Sequence, residues 1–145
     1  MELTEALPLL TENHTAVAIT VGASGRPQST IVTTGLVDGN LCWISRGRTI
    51  KVRNIERTGR AAVTVIKLDT RRYITVEGPA VIHPWPTAGA GADVDAHVKL
   101  LKDVYSAMGR TPKESDEVFA QTMADEKRSV IAVTPESVYG SLTQR

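Results

Sequence analysis

The residues best suited to chemistry lie in segment 45–54, where an apolar run ends in a turn of serine, glycine, threonine and cations. After the turn the sequence takes on helical spacing, which places the turn at a helix N-terminus. Backbone N–H groups are unpaired there and the helix dipole is positive, so an anion is stabilised. Arg46, Arg48 and Lys51 add positive charge at the same place. The segment therefore predicts a site for a phosphate.

A local excess of positive charge marks this region of a nearly neutral chain. The whole chain has 17 lysines and arginines against 16 acids, a net charge of +1. A general nucleic-acid binder usually carries a broad basic excess, so that class ranks last. Arg53, Arg57 and Arg60 are more simply interpreted as solvated helix and loop charges. Between positions 46 and 60, six cations stand against a single acid, Glu56; they are Arg46, Arg48, Lys51, Arg53, Arg57 and Arg60.

Length and composition favour one domain over residues 1–145, because 41% hydrophobic residues are enough to form a core. Cys42 is the only cysteine and lies in an apolar run, which predicts a buried thiol and fits a reducing cytoplasm. The N-terminal segment has no basic region, and no apolar run approaches the roughly 18 residues of a membrane span. We therefore expect a cytoplasmic protein without a membrane partner.

The spacing of apolar residues and turn residues predicts six strands and four helices. Turns at Gly22–Gly25 and Asp38–Asn40 should join the first three strands into an antiparallel meander. Strands linked only by turns or by one helix cannot form a parallel sheet, and closing the sheet removes its edges. We therefore expect a mainly β fold, a six-stranded antiparallel barrel with flanking helices. The predicted strands are 16–21, 28–34, 41–45, 61–68, 72–83 and 129–138; the helices are 4–13, 49 or 50 to 57, 94–108 and 112–125; and 84–92 should be a mobile loop.

Four motifs carry a resemblance to a known family. They are Gly25-Arg26-Pro27-Gln28, Lys51-Val52-Arg53-Asn54-Ile55, Tyr73-Ile74-Thr75-Val76-Glu77-Gly78-Pro79-Ala80 and Thr134-Pro135-Glu136-Ser137-Val138-Tyr139-Gly140. Their order and spacing, over about residues 14–140, resemble the pyridoxamine-phosphate-oxidase-like split β-barrel proteins. Within these, the chain looks most like the flavin and deazaflavin (F420) oxidoreductases of the actinobacterial B group. The resemblance implies a split β-barrel of the FMN-binding type.

The resemblance also implies a function. Proteins of this kind are homodimers with two cofactor sites at the subunit interface, which hold either FMN or coenzyme F420. Catalysis would be hydride transfer from the reduced ring to a small planar or conjugated substrate, such as a quinone, a tetrapyrrole or an enone. A separate dehydrogenase would reduce F420 for this protein. The implied ring-contacting positions are Gln28, Thr30, Ile31, Val32 and Thr33; the implied phosphate-binding positions are Ser45, Arg46, Arg48, Thr49, Lys51 and Asn54; and Arg71, with Tyr73 and Tyr139-Gly140, would complete the partner's pocket.

Two departures from the family pattern bear on the cofactor. The turn from Ser45 to Lys51 is one residue shorter than in some relatives, which shifts Arg48 relative to the usual phosphate-binding arginine. Arg71-Arg72 stands where relatives often carry an aromatic residue, so the pocket wall is more cationic. A cationic wall suits the lactyl and polyglutamate tail of F420. The predicted cofactor is therefore F420, with FMN as the alternative.

Other functions remain open. The same phosphate clamp would serve a carrier that holds F420 or FMN without catalysis. A haem-binding protein would need His14, His83 or His97 as an axial ligand, but these histidines are too scattered to predict a metal site. A pyridoxine-phosphate oxidase proper is disfavoured, because that enzyme's C-terminal pattern of arginine and histidine does not follow the last strand.

No catalytic residue is assigned from the sequence. Tyr73 and Tyr139 are candidate proton donors, but a buried tyrosine more often has only a structural hydrogen bond. Glu77 is predicted to form an ion pair in the sheet rather than to act as a base. Trp85 would either cover the open face of the ring or anchor its loop.

Overall fold

The computed structural model describes residues 1–86 and 91–143. These residues form four helices and eight strands and keep the mainly β character that the sequence predicts. In chain order they are α1 (Leu3–Glu12), β1 (Thr15–Val21), β2 (Pro27–Thr33), β3 (Gly35–Val37), β4 (Asn40–Arg46), α2 (Ile50–Thr58), β5 (Arg60–Lys67), β6 (Arg72–His83), α3 (Gly91–Ala107), α4 (Asp116–Asp125), β7 (Arg128–Val133) and β8 (Ser137–Ser141).

The strands form an antiparallel sheet in the order β2-β1-β5-β6-β7-β4-β3. β6 is long enough to take two partners in turn along one edge, because β8 pairs with its residues 73–77 and β7 with its residues 80–83. β6 therefore belongs to both halves of a split barrel, and the predicted fold class is confirmed.

The number of strands differs from the predicted six. The short strand β3 precedes the Asp38-Gly39 turn, and the predicted last strand is interrupted between β7 and β8, so the described residues form eight strands. Pro135 has no N–H to donate to a ladder. On either side of it, the N–H groups of Thr134 and Glu136 donate to the carbonyl oxygens of Pro79 and Glu77. The chain thus stays attached to β6 while it passes from one strand to the next.

The predicted three-stranded meander is wrong. β1 and β2 form the predicted hairpin, with Val17 opposite Ile31, but β4 pairs with β3 and β7 instead of β2. After β2 the chain passes through Thr34, whose N–H donates to the carbonyl oxygen of His14, and enters β3 at the opposite end of the strand order. β2 is therefore left as an edge strand.

The helix boundaries move at two places. α3 begins at Gly91 rather than at 94, so the predicted loop 84–92 is shorter. The prediction that this loop is mobile falls on residues 87–90, which lie outside the described residues. α4 begins after Ser115 rather than at Pro112, because the Ser115 hydroxyl accepts a hydrogen bond from the Val118 N–H at 3.3 Å and caps the helix there.

Two apolar clusters hold these elements together. Side chains from α1, α2 and the strands fill the barrel, with Trp43, Leu10 and Ile74 fully buried. α3 and α4 pack a second cluster, which contains Leu101 and Phe119, against β4 and β7. This packing and α3's approach to β3 fix the position of the C-terminal end of α3.

Candidate anion-binding cleft

A cleft of about 400 Å³ opens where β2 and β4 end and α2 begins, beside the C-terminal end of α3. Strand ends and a helix start converge there, so backbone groups without partners are concentrated at one place. The lining residues are Ile31, Val32 and Thr33 from β2; Ile44, Ser45 and Arg46 from β4; Thr49 and Lys51 at the start of α2; Tyr105, Met108 and Arg110 at the end of α3; and Arg128 at the start of β7.

The N-terminus of α2 supplies hydrogen-bond donors to this cleft. Thr49 is the N-cap, and its hydroxyl oxygen accepts from the Val52 N–H at 3.4 Å and lies 3.3 Å from the Ser45 hydroxyl. Among the hydrogen bonds of the described residues, none uses the N–H of Ile50 or of Lys51. No acidic side chain occupies the first turn. The helix end therefore offers free donors and a positive dipole to an anion.

Lys51 brings a full charge to the same end of the cleft. Its side chain is half-buried, and this burial lowers the pKa of the ammonium group. Within residues 1–86 and 91–143, no carboxylate lies within salt-bridge distance of it. Partial desolvation without a counter-ion is unfavourable, so a bound anion would stabilise the charged form.

The outer edge of β2 forms one wall of the cleft. In an antiparallel pair, every second residue bonds to the neighbouring strand. The bonds from Thr34 to His14 and from Gly22 to Arg26 set this alternation, so the backbone groups of Ile31 and Thr33 point away from β1. No other described strand pairs with this edge. Free N–H and C=O groups therefore alternate along it.

Three arginines surround the opening. Arg46 and Arg128 share one carboxylate, Glu126, at 3.3 Å and 2.6 Å from its two oxygens. The Arg110 guanidinium donates to the Thr33 hydroxyl at 3.2 Å. Together with Lys51, these side chains give the cleft more positive than negative charge.

The structure brings seven of the twelve sequence-predicted site residues together in this cleft. They come from the two segments that the sequence singled out, the end of β2 and the β4–α2 turn. They are Ile31, Val32, Thr33, Ser45, Arg46, Thr49 and Lys51.

The other five predicted residues lie outside the cleft. Arg48 forms an ion pair with Glu56 at 2.7 Å and lines a smaller cleft behind the turn. Arg71 lies in the turn between β5 and β6, with a φ of 55°. Gln28, Thr30 and Asn54 join a chain of hydrogen bonds: the Asn54 amide donates to the Thr20 hydroxyl at 3.1 Å, Thr20 donates to the Gln28 amide oxygen at 3.3 Å, and the Gln28 amide donates to the Thr30 hydroxyl at 3.3 Å.

Five lining residues were missed by sequence reasoning, namely Ile44, Tyr105, Met108, Arg110 and Arg128. Tyr105 and Met108 could be predicted only as part of the apolar face of α3. The position of Arg110 had one local signal, the glycine before it, which is typical of the end of a helix. Nothing in the spacing indicates that α3 ends beside β2, because that contact joins segments about 75 residues apart.

Four other residues considered from the sequence, His14, His97, Trp85 and Glu77, have structural partners. The His14 ring bonds to the Thr34 carbonyl oxygen at 2.9 Å, and the buried His97 ring to that of Arg128 at 2.8 Å. Trp85 packs edge-on against His97, with ring centroids 5.3 Å apart, and does not line the cleft. Glu77 pairs with Arg60 at 2.9 Å, which confirms the predicted ion pair.

Within the described part of the chain, no three His, Cys, Asp or Glu side chains come close enough to hold a metal ion. Among the helices of that part, none combines the length and the apolar character that a membrane crossing requires.

The sequence profile of the pyridoxamine 5'-phosphate oxidase family matches residues 3–141, nearly the whole chain. The chain belongs to the pyridoxamine 5'-phosphate oxidase family. No curated protein matches this family member.

Solved structures show the same fold. A conserved hypothetical protein of Mycobacterium tuberculosis has a TM-score of 0.72 at 20% identity, with 97% of this chain and 84% of that chain covered. A protein named F420 reductase has a TM-score of 0.65 at 24% identity, over 91% and 94% of the two chains. An FMN-binding, pyridoxamine 5'-phosphate oxidase-related protein of Nostoc punctiforme has a TM-score of 0.64 at 17% identity, over 95% and 80%. At these identities the likeness concerns the fold of this pyridoxamine 5'-phosphate oxidase family member.

Proposed function

We propose that this protein is an F420-dependent oxidoreductase, which binds the deazaflavin coenzyme in the cleft and transfers a hydride from the reduced coenzyme to a small planar or conjugated substrate. The proposal rests on one observation: three features meet in one cleft. They are a helix N-terminus suited to a phosphate, an unpaired strand edge and surplus positive charge. Each of these features suits a different part of a phosphorylated flavin or deazaflavin.

The helix end fits a phosphate. The free N–H groups of Ile50 and Lys51, the hydroxyl groups of Ser45 and Thr49 and the ammonium group of Lys51 are the donor set that a phosphate ester requires. A desolvated lysine without a carboxylate gains from an anion at this place. These residues would hold the phosphate of either F420 or FMN.

The edge of β2 fits the flat ring. Alternating N–H and C=O groups at Ile31 and Thr33 match the alternating carbonyl and N–H groups on the pyrimidine end of a flavin or deazaflavin. The same edge carries no bulky aromatic side chain, which leaves room for a planar ligand. Tyr105 and Met108 on the facing helix end would exclude water from the ring.

The surplus of cations favours F420 over FMN. F420 carries a lactyl and polyglutamate tail beyond its phosphate, and Arg46, Arg110 and Arg128 lie at the cleft in addition to Lys51. FMN is the second candidate, because Glu126 neutralises part of this charge and leaves less to hold a polyanionic tail. A relative of similar fold is named an F420 reductase and another an FMN-binding protein, so both cofactors occur on this fold.

A second copy of the chain would complete the site. Side chains on the outer face of β2, β1, β5, β6 and β8 form a row across the sheet, and Ile31 is 76% exposed in it. Ile31 and Tyr139, at the two ends of the row, are exposed, whereas Thr75 between them is buried. Exposed large hydrophobic side chains on one face are typical of a subunit interface. The row runs through Ile31, Val17, Thr64, Thr75 and Tyr139. A homodimer through this face would place Arg71, Tyr73 and Tyr139 beside the partner's cleft.

The chemistry would depend on positioning. The bound coenzyme supplies the hydride, and a separate dehydrogenase would restore its reduced form. The chain's own residues would bind the phosphate, hold the ring along β2 and exclude water from one face, while the substrate stacks on the other. This scheme requires no nucleophile and no acid–base pair from the protein. Quinones, tetrapyrroles and enones are the substrate classes with a suitable flat shape.

The proposal is tested by separate titrations of the purified protein with FMN and with oxidised F420, followed by the fluorescence of the cofactor and by quenching of tryptophan. We expect saturable binding of both and tighter binding of F420. Tighter binding of FMN would support the second candidate, and binding of neither would refute the proposal.

Catalysis is tested next by mixing the complex of reduced F420 with members of the three substrate classes and following the absorbance of the oxidised coenzyme. Oxidation that depends on both the protein and the substrate supports an enzyme. Tight binding without oxidation by any of them would instead support a carrier.

A further inference from the structure

Arg110 occupies a fixed position over the end of β2. The residues after α3 form a Schellman cap: the Arg110 N–H donates to the Tyr105 carbonyl oxygen at 2.9 Å, and Gly109 has a φ of 72°. This cap determines the direction in which the backbone leaves α3 at residue 110. The backbone of residue 110 is therefore fixed by hydrogen bonds, and the exposed side chain reaches the Thr33 hydroxyl from there.

The helix end that carries Arg110 is held close to the sheet. A Cβ atom on Gly35 would lie only 2.5 Å from the carbonyl carbon of Ala107, so this contact between β3 and α3 allows no side chain. A Cβ atom on Gly109 would lie 3.3 Å from the His14 ring, which is itself bonded to Thr34. The helix end that carries the cation is thus held beside β2.

The charge of Arg110 has no carboxylate partner among the residues that the structure describes. Its hydrogen bond goes to a neutral acceptor, the Thr33 hydroxyl. By contrast, Arg46 and Arg128 in the same cleft both pair with Glu126. An uncompensated cation therefore lies next to the strand edge on which the backbone N–H and C=O groups of Ile31 and Thr33 are free.

We infer that Arg110 tunes the reduction potential of the bound cofactor, by stabilising the negative charge that reduction adds to the pyrimidine end of the ring. The inference rests on the proposed function, because it requires a flavin or deazaflavin ring along β2. A cation at this edge attracts the reduced ring, which carries the negative charge added by the hydride, more strongly than the oxidised ring. Arg110 would thus hold the reduced cofactor more tightly than the oxidised one.

A purely structural role makes a different prediction. Arg110 follows the C-terminal end of α3, where a cation also stabilises the helix through its dipole. In that case its removal would lower the free energy of unfolding and weaken both redox forms of the cofactor equally. The midpoint potential of the bound cofactor would then be unchanged.

The experiment measures the midpoint potential of the bound cofactor in the wild-type protein and in three variants: Arg110→Gln, Arg110→Lys and the control Arg26→Gln. Arg26 lies exposed in the β1–β2 turn, at the other end of the same hairpin. The probe is whichever of FMN and F420 the wild type binds more tightly, and reduction is followed by absorbance against a reference dye. The dissociation constant of the oxidised form is measured separately.

We expect Arg110→Gln to weaken binding of the reduced form about 10- to 100-fold more than binding of the oxidised form. For a two-electron couple this lowers the midpoint potential by about 30–60 mV. Arg110→Lys should keep most of the wild-type potential, and Arg26→Gln all of it. An unchanged potential in Arg110→Gln would refute the inference and leave the proposed function intact, whereas a wild type that binds neither FMN nor F420 would refute both.

Discussion

Lys51 is a cation whose surroundings favour a bound anion. It is half-buried at the N-terminus of α2, its pKa is lowered by burial, and no carboxylate of the described residues pairs with it. Arg60, from the same cationic stretch of sequence, instead forms ion pairs with Glu77 and Glu136 at 2.9 Å and 3.0 Å. We therefore expect Lys51 to contribute to anion binding and Arg60 not to contribute.

Lys51→Ala should weaken FMN binding about 10- to 100-fold, because hydrogen bonds to charged groups contribute about 1.5–3 kcal/mol. Arg60→Ala should change the affinity by less than about twofold, since its ion pairs are exposed and lie outside the cleft. The measurement is a fluorescence titration with FMN and, as a control, with riboflavin, which lacks the phosphate. Equal losses in the two variants, or an equal loss with riboflavin, would show that the phosphate lies elsewhere.

The pH dependence of binding should follow the ammonium group of Lys51. Burial lowers its pKa in the free protein, so its charge is lost at a lower pH than that of an exposed lysine. The phosphate of FMN is fully ionised above about pH 7.5. The ratio of riboflavin to FMN dissociation constants should therefore fall as the pH rises towards this lowered pKa.

The matched variant for this pH profile is Lys51→Arg, whose guanidinium stays charged throughout. We expect its ratio of riboflavin to FMN dissociation constants to stay level over the same range, measured by titration at intervals from about pH 7.5 to pH 10. A wild-type profile as flat as that of Lys51→Arg would contradict the assignment of Lys51 to the phosphate.

Buried Cys42 should be inert in the native protein. Burial, with the nearby Asp38 carboxylate as a smaller cause, raises the pKa of the Cys42 thiol to about 11. The neutral thiol is thus favoured by the fold, and the stability that this contributes is lost as the pH rises from about 9 to about 11. Iodoacetamide at pH 8 should label the urea-unfolded chain but not the native one; rapid labelling of the native chain would contradict the burial of this residue.

Individual site residues could be predicted where their signal is local. The β4–α2 turn combines hydroxyl groups, cations and helical spacing within ten residues, and Ser45, Arg46, Thr49 and Lys51 do lie in the cleft. Which cations remain free could be predicted only in part: Glu56 lies near Arg48 in the sequence, but other carboxylates come from distant segments. Glu126 reaches Arg46 from 80 positions away.

At the scale of elements, a chain of hydrogen bonds joins α2 to β1 and β2. It runs from Asn54 through Thr20 and Gln28 to Thr30. The helix that presents the phosphate donors is thereby tied to the strand that presents the free edge. Asn54, Gln28 and Thr30 are predicted cofactor-binding residues, and their hydrogen bonds suit a role in positioning α2 relative to β2.

Asn54→Ala should lower the free energy of unfolding by about 1–3 kcal/mol, because it leaves the buried Thr20 hydroxyl without its donor. It should also weaken FMN binding several-fold, although Asn54 does not line the cleft. The matched control is Ser115→Ala, which removes the N-cap of α4 at a cost of about 1 kcal/mol, and Ser115 does not line the cleft. Urea denaturation and FMN titration give both quantities, and equal FMN affinities in the two variants would contradict the positioning role.

Elements with strong local patterns could be predicted, and their partners could not. The α2 helix, its end at Gly59 and the β1–β2 hairpin follow from spacing and turn residues. The pairing of β4 with β7 joins segments about 90 residues apart and leaves no trace in either one. The short β3 is likewise defined by its pairing with β4, whereas the break at Pro135 had a local signal, a residue with no N–H to donate to a ladder.

At the scale of the whole molecule, one face of the sheet has no cover among the described elements. The outward side chains of β1 include Val17, Ile19 and Val21, the last of them 44% exposed. The helices pack instead into the barrel interior and against β4 and β7. Burying this face against a second copy would remove apolar area from water and enclose the cleft at the edge of β2.

The protein should therefore sediment at twice the 15.6 kDa mass of its chain. Val21→Glu should shift it towards the monomer and weaken cofactor binding, because it places a charge in the proposed interface. Val118→Glu, on α4, is the matched control, since Val118 is 52% exposed and lies away from this face. Analytical ultracentrifugation measures the mass; a wild-type monomer that binds its cofactor with full affinity would refute the dimer.

The central claim is that a phosphorylated flavin or deazaflavin lies in the cleft with its phosphate at the N-terminus of α2. A crystal structure of the protein with its preferred cofactor tests this most directly. We predict phosphate oxygens within hydrogen-bond distance of the Thr49 hydroxyl, the Lys51 ammonium group and the Ile50 N–H, with the ring along Ile31 and Thr33. A cofactor bound at any other cleft, such as the one beside Trp85, would contradict the account.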